Sequence, residues 1–335
     1  MYHDRPLLFF VHSDKNLYHF ALKQGETNTM VNAFNSWLNY PKYFRISFFI
    51  VLACAIVLNV IQFGNESNMF IFYILSSIFL GVGFYDHSLL FIIIVTTLLV
   101  ICRFFLINDS NPTFATFLTY LFTYLLISFI SRYLMRYAQT VRMDILELTT
   151  ALANALDSRD PYTHHHSENV SMYAVKIAEK MNLPKELCTA IRIGGLLHDI
   201  GKIGIPEHIL TKKDKLTEEE YSIIKSHPYI GYNMISHISN FRQSSVLDIV
   251  LYHHERFDGT GYPRGLSREE IPLCARIVAV ADTFDAMTSR RVYREELDLS
   301  FTLDEIRNSK GTQFDPEVVD ALLYLVENRQ IIVNV

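Results

Sequence analysis

Charge is scarce in this 335-residue chain: 19% of its residues are Asp, Glu, Lys or Arg, against about 25% in an average soluble domain. The shortage is local. Positions 45–130 carry five charged residues, Arg45, Glu66, Asp86, Arg103 and Asp109. The other 60 charged residues occupy 249 positions, about 24%, which is ordinary. An apolar block and a soluble-like portion therefore share one chain, and the mean hydropathy of +0.16 averages over both. This excludes a single soluble globular domain and also a wholly embedded transporter. The soluble-like portion is long enough for one sizeable core. An excess of positive charge is also missing. A net charge of −5 and a pI near 6.2 leave no electrostatic footprint for a nucleic-acid polymer. Cys54, Cys102, Cys188 and Cys274 lack CxxC spacing. They read as reduced thiols in or facing the cytoplasm, and they argue against a cysteine zinc site. There is no repeat or low-complexity tract. Leu7–Val11 is too short for a signal-peptide core, and Met30 offers a shorter start.

Four apolar runs stand out: Ile46–Phe63, Met69–Tyr85, Ser88–Ile107 and Thr113–Ile130. Each approaches the roughly 20 residues that carry a helix across a bilayer. Short polar breaks between them force antiparallel neighbours, hence a four-helix transmembrane bundle. A buried core helix explains one such run but not four in series. The first and third breaks contain no Lys or Arg, whereas Lys42 and Arg45 precede the first run and Arg132, Arg136 and Arg142 follow the fourth. Both ends are therefore expected in the cytoplasm. Arg103 lies near the outer end of the third run, where it snorkels, pairs within the bundle, or belongs to a sensing site. The expected organisation is a cytoplasmic segment 1–44, a membrane region 45–130, a connector helix 131–147 and a soluble domain 148–335. Leu134, Ala138, Val141, Ile145, Leu148, Leu152 and Ala155 follow a 4-3 spacing. This fits either a parallel dimeric helix or the first helix of the soluble domain packing on its own core. About three heptads are too few to choose between them.

Nine of the 13 histidines fall between His164 and His254. Five sit in strings that set imidazole beside carboxylate. These are His166-Ser167-Glu168, His198-Asp199-Ile200-Gly201-Lys202, Ser226-His227-Pro228 and His253-His254-Glu255, with Ala281-Asp282-Thr283-Phe284-Asp285 completing the set. Imidazole and carboxylate without thiolate suit Fe or Mn as well as Zn. The second carboxylate oxygen of Asp199 is free to bridge to a neighbouring ion. Two ions about 3.5–4 Å apart clamp the attacking and leaving oxygens of a phosphoryl displacement and lower the pKa of water. His164, His165, His208 and His237 lack such context and read as surface residues.

These strings, with Asp160-Pro161-Tyr162-Thr163 and above all His253-His254-Glu255 leading to Asp258-Gly259-Thr260-Gly261-Tyr262-Pro263, resemble the HD-GYP subgroup of HD-domain phosphohydrolases. Gly311-Thr312-Gln313-Phe314-Asp315-Pro316 fits as well. The resemblance covers about 148–328. It implies an all-α fold and hydrolysis of the bacterial second messenger cyclic di-GMP to pGpG, GMP or both. It also implies a cell-membrane protein of a bacterium, with its soluble domain in the cytoplasm. Two divalent ions are implied, Fe or Mn foremost, with Zn, Mg, Ni and Co also admitted. One ion would take His166, His198, Asp199 and Asp282; the other would share Asp199 and add His227, His253 and His254. Lys202 and Asp199 are the implied catalytic pair, Lys202 neutralising the scissile phosphate or protonating the leaving oxygen. Lys202, Arg291, Arg294 and Tyr262 are the implied substrate contacts. Gly259, Gly261 and Pro263 shape a loop, and Glu255 and Asp258 are expected to orient histidines.

The sequence departs from the subgroup in three places. His164-His165-His166 replaces the usual Gly-His, which leaves His165 as a minor alternative ligand. Asn169 replaces an Arg. Tyr162 stands where three-metal members resemble one another in having Glu, which favours two ions. Rival readings are a cyclic GMP-AMP substrate and a catalytically silent receptor or interaction module. Expected partners are the membrane, a second copy through the connector, and a cyclic-dinucleotide synthase or other signalling protein.

Overall fold

The computed structural model describes residues 40–61, 70–107, 113–159, 165–212, 214–289 and 299–331. Among them every regular element is helical and no strand occurs. The chain divides into two compact units between Gln139 and Thr140, and each is described by itself.

The first unit contains α1 (Pro41–Ile61), α2 (Phe70–Gly83), α3 (Leu89–Leu106) and the start of α4 (Phe114–Asp157). By length and composition, α1, α3 and α4 suffice to cross a membrane. The described part of the second run is shorter than expected. The 14 residues of α2 rise about 21 Å, less than a hydrocarbon core of about 30 Å. Its C-terminal carbonyls and the turn beyond are closed by arginines. Arg45 Nε donates to Gly83 O (2.7 Å), Arg136 Nε to Tyr85 O (3.0 Å) and an Arg132 amino group to His87 O (2.7 Å). Arg45 also pairs with Asp86 at 2.9 Å. Cations at a helix C-terminus complement its unsatisfied carbonyls and dipole. Ser88 then starts α3 by accepting from Phe91 N.

Inside this unit, Tyr73, Leu80, Ile92 and Val100 are fully buried, while Phe49, Phe105, Phe114 and Phe122 face outward. Small polar groups pair within it: Asn59 Nδ2 donates to Tyr73 Oη (3.1 Å), Thr96 Oγ1 to Ser128 Oγ (3.2 Å), and Ser128 Oγ to Ser77 O (3.3 Å). Arg103 is buried, and its guanidinium lies 3.6 Å from the centre of the Tyr120 ring. It stays inside the bundle and does not snorkel outward.

The second unit begins on α4. Helices α5 (His166–Lys180), α6 (Lys185–Leu197), α12 (Leu273–Thr288) and α14 (Pro316–Glu327) build its main core. Val170, Ala174, Ile177 and Ala178 recur at helical spacing on one face of α5 and meet Ile191, Ile277, Phe284 and Leu322. Between α6 and α12 lie α7 (Glu207–Leu210), α8 (Glu218–Ile224), α9 (His227–Ile235), α10 (Ser239–Arg242) and α11 (Val246–Tyr252). Helix α13 (Leu299–Asn308) precedes α14. Thr217 and Glu220 form a capping box at α8. Asp315 caps α14, with Pro316 at its first position, and pairs with Arg276 of α12.

On α4 itself, Ala153 and Leu156 are buried, whereas Leu134, Val141, Leu148 and Leu152 are exposed. The heptad seam therefore is not what packs α4 onto the domain core. Its last turn is fastened to α5. Asp157 accepts from Ser167 N (3.0 Å) and Ser167 Oγ (2.8 Å), and Asn154 donates to Glu168 (2.7 Å).

One glycine sets the spacing of the unit's centre. Gly201 lies in the 3-10 turn Ile200–Gly204, against the His227 carbonyl and the Gly231 amide of α9. A Cβ there would overlap both. Gly201→Ala is expected to cost about 1–3 kcal/mol as an overpacked contact. It should lower the thermal unfolding midpoint of the detergent-solubilised chain; an unchanged midpoint would show that α9 yields freely.

Candidate metal centre

Asp199 sits where helix α6 stops. The α-helix ends at Leu197, and a 3-10 turn starts at Ile200. His198-Asp199 thus occupies a break between two helical elements. The break turns the Asp199 carboxylate into a buried ring of imidazoles contributed by α5, α9, α11 and the end of α6.

The ring nitrogens are held in a definite sense. His198 Nδ1 lies 2.8 Å from Gly195 O, His227 Nδ1 2.7 Å from Ile224 O, and His253 Nδ1 3.1 Å from Val250 O. Carbonyls only accept, so Nδ1 carries a proton in each, and the second nitrogen, Nε2, is the one that presents a lone pair whenever the ring is neutral. Those Nε2 atoms converge. His198 Nε2 is 3.3 Å from Asp199 Oδ2, His227 Nε2 3.2 Å from Asp199 Oδ1, and His227 Nε2 3.3 Å from His253 Nε2. On the other side, His166 Nε2 is 3.3 Å from Asp282 Oδ1.

His198 Nε2 and Asp199 Oδ1 are buried without a hydrogen bond of acceptable geometry. An unsatisfied buried polar group costs about 1–3 kcal/mol. Burial and the neighbouring His254 hold His253 far below the usual imidazole range. Burial and His227 push His254 down to about 4. Both rings are thus neutral at neutral pH, with lone pairs available. Burial opposes ionisation of Asp199, but Lys202 and His198 outweigh it and keep the carboxylate ionised. One donor atom from each of Asp199, His227, His253 and His254 lies within 4.8 Å of the others, and the same holds for His166, His198 and Asp199. Imidazoles and carboxylates converging this closely fit a divalent cation, which would displace the protons that the neighbouring carboxylates hold on His166 and His198.

A pocket of about 340 Å³ opens beside this cluster. His253, His254 and Asp282 line it, together with Tyr221, Lys225, Tyr262 and Gln313. That volume is at the lower end of small-molecule sites, roughly 300–1,000 Å³.

A family model described as an HD domain matches residues 150–318, just over half the chain. This chain belongs to the HD-domain family. The HD domain is 44% identical over 182 residues to a cyclic di-GMP phosphodiesterase of Thermotoga maritima, covering 54% of this chain and 49% of that one. A cyclic di-GMP phosphodiesterase response regulator of Xanthomonas campestris is 47% identical over 178 residues, with 53% and 47% covered. A 3'3'-cGAMP-specific phosphodiesterase of Vibrio cholerae is 36% identical over 181 residues, with 54% and 42% covered. The chain spans about half the length of the curated relatives it matches.

Within the HD domain, His166 reaches the cluster, while His165 is exposed, with a left-handed backbone (φ 61°). Lys202 Nζ donates to Asp199 Oδ2 at 2.5 Å. The Tyr262 ring stacks on His254 at 4.8 Å, and burial pushes its phenol pKa up, so it remains a donor. Gly261 has no room for a Cβ against the His254–Arg256 backbone. Gly259 has φ +82°, and Pro263 follows a cis bond. Arg291, Arg294, Asp160, Tyr162 and His164 lie outside the described residues.

Two expectations are corrected. Glu255 does not orient a histidine. It accepts from Arg264 N (2.7 Å) and Leu266 N (3.0 Å), fixing the backbone of the 253–267 loop. Asp258 likewise accepts from Thr260 N (2.9 Å) and Thr260 Oγ1 (2.6 Å). The carboxylate that holds an imidazole is one that the sequence quoted without assigning. Asp285 Oδ2 lies 2.7 Å from His166 Nδ1, and Ser289 Oγ donates to Asp285 Oδ1 at 3.0 Å. Its spacing three residues after Asp282, on the same face of α12, was the available signal. Burial would lower the His166 pKa, but Asp282 and Asp285 outweigh it and push it up to about 10.

A carboxylate behind a metal-ligating histidine typically contributes about 10–100-fold in metal affinity. Asp285→Ala should weaken Mn retention by about that factor, read by chelator competition. Unchanged retention would mean that His166 needs no such support.

Proposed function

We propose that this protein is a membrane-anchored, metal-dependent phosphodiesterase of the HD-GYP subgroup that hydrolyses cyclic di-GMP to pGpG, GMP or both. The observation that carries the reading is the position of Asp199 in both donor groups, beside an open pocket. His166, His198, Asp199 and Asp282 would hold one divalent ion; Asp199, His227, His253 and His254 would hold a second, Fe or Mn foremost. When bound, such ions supply Lewis acidity and a nucleophile near neutral pH.

The chain's own residues do the rest. The carbonyls of Gly195, Ile224 and Val250 fix the tautomers of three histidines, so no reorganisation is needed at the moment of reaction. Lys202, anchored on Asp199, neutralises the scissile phosphate or gives a proton to the leaving oxygen. The Tyr262 hydroxyl and, on the segment after α12, Arg291 and Arg294 are assigned to substrate. Arg is suited to phosphate by its planar fork. Cyclic di-GMP is favoured over a cyclic GMP-AMP dinucleotide because three relatives bearing the first name are 40–47% identical, with two others at 34–35%, whereas three named for the second are 34–36% identical.

The first unit supports anchoring. Its helices bury small polar pairs and turn phenylalanines outward, the arrangement that lipid demands. We assign residues 45–130 to a bacterial cell membrane, with segment 1–44, connector 131–147 and domain 148–335 on the cytoplasmic side. The exposed seam at Leu134, Val141, Leu148 and Leu152 is assigned to pairing with a second copy. A cyclic-dinucleotide synthase or another signalling protein is the assigned functional partner.

The test is to supply the Mn- or Fe-loaded full chain in detergent with several cyclic dinucleotides and identify products by chromatography. Cyclic di-GMP should be consumed fastest. His198→Ala and Asp199→Ala should reduce turnover at least about 1,000-fold, a loss of roughly 4 kcal/mol of transition-state stabilisation. No turnover by metal-loaded protein would leave a silent receptor instead.

A further inference from the structure

Lys225 is the C-cap of α8 and lines the same pocket as His254 and Asp282. Its surroundings differ from those of three other lysines in the domain. Lys202, Lys212 and Lys310 each hold a carboxylate within 2.6 Å. Among the described residues, no carboxylate lies within ion-pair distance of Lys225. Its ammonium instead stands over two aromatic faces, 4.3 Å from the centre of Tyr221 and 5.7 Å from that of Tyr262. Cation–π contact holds a charge in place without neutralising it. The pocket acids do not reach it either. Glu255 is engaged by two backbone amides and Asp282 by His166. The pocket therefore presents an uncompensated positive charge in the space that His253, His254 and Asp282 also line.

This inference rests on the cyclic-dinucleotide reading. Such a substrate carries two phosphodiester groups, and only one is at the reacting centre at a time. The other is an anion that must also be desolvated in the pocket. We propose that Lys225 binds the phosphodiester that is not being cleaved, and that Tyr221 positions its ammonium. A compact ammonium with three donors matches a phosphate oxygen.

The test compares two substrates on the Mn-loaded full chain in detergent. Cyclic di-GMP has the second phosphodiester; bis(4-nitrophenyl) phosphate has only the one being cleaved. Lys225→Met should raise KM and Kd for cyclic di-GMP by about tenfold or more, the loss of roughly 1.4 kcal/mol of binding, with kcat nearly unchanged. Hydrolysis of bis(4-nitrophenyl) phosphate should not change. Lys225→Arg should restore most of the affinity. Tyr221→Phe should match the parent, and Tyr221→Ala should show a smaller rise in KM. Unchanged KM and Kd for cyclic di-GMP in Lys225→Met would overturn the proposal. So would equal losses on both substrates, which would report damage transmitted to His227. If the parent protein binds cyclic di-GMP without cleaving it, Kd alone decides the role of Lys225. If it cleaves the small diester but neither binds nor cleaves a cyclic dinucleotide, the substrate reading falls and Lys225 loses its assigned ligand.

Discussion

A single buried carboxylate, Asp199, is the constraint around which the HD domain is arranged. Burial alone would protonate it, and it stays ionised because Lys202 and His198 stand against it. Each feature that brings those partners together is a backbone device. Helix α6 ends at Leu197, so His198 and Asp199 turn inward together at the break before the 3-10 turn. Gly201 lets α9 approach until His227 meets the carboxylate. Carbonyls one turn back orient three rings. The resulting convergence of acceptors is costly in an empty protein core, and a cation relieves that cost.

Contacts behind the imidazoles hold this arrangement. Asp285 seats His166 from behind. The 253–267 loop is shaped by Glu255 and Asp258, and the 309–315 turn holds it through Phe257 N to Gln313 O (3.1 Å) and Asp258 N to Thr312 O (2.7 Å). That turn in turn leads into the Asp315 cap of α14, where Arg276 reaches across from α12. At the other end, Asp157 and Asn154 fasten the last turn of α4 to Ser167 and Glu168, the two residues after His166. The helix that carries the exposed heptad seam thus ends on the helix that begins with a member of the cluster.

Much of this was legible in the sequence. Adjacent pairs such as His198-Asp199 and His253-His254 announce ligands because few other environments need them, and these residues do gather around one carboxylate. The all-helical character followed from the resemblance. What was not legible depended on tertiary direction. Glu255 follows a histidine in sequence, yet its side chain turns to the amides of Arg264 and Leu266. Asp285 was visible as a residue, but nothing short of the α5–α12 packing points it at His166. A hydropathy run counts apolar residues and not helix ends, so the arginine-closed turn after Gly83 was not anticipated. The 4-3 pattern on α4 was ambiguous until exposure separated the seam from the buried Ala153 and Leu156.

The central claim is that the Nε2 atoms around Asp199 form a cation site. Anomalous scattering from crystals of Mn-loaded full chain, recorded on either side of the Mn absorption edge, tests it most directly. The account predicts anomalous density in contact with Asp199 and with the Nε2 atoms of His198, His227 and His253. Metal bound elsewhere, with Asp199 and these rings hydrogen-bonded only to one another, would contradict it.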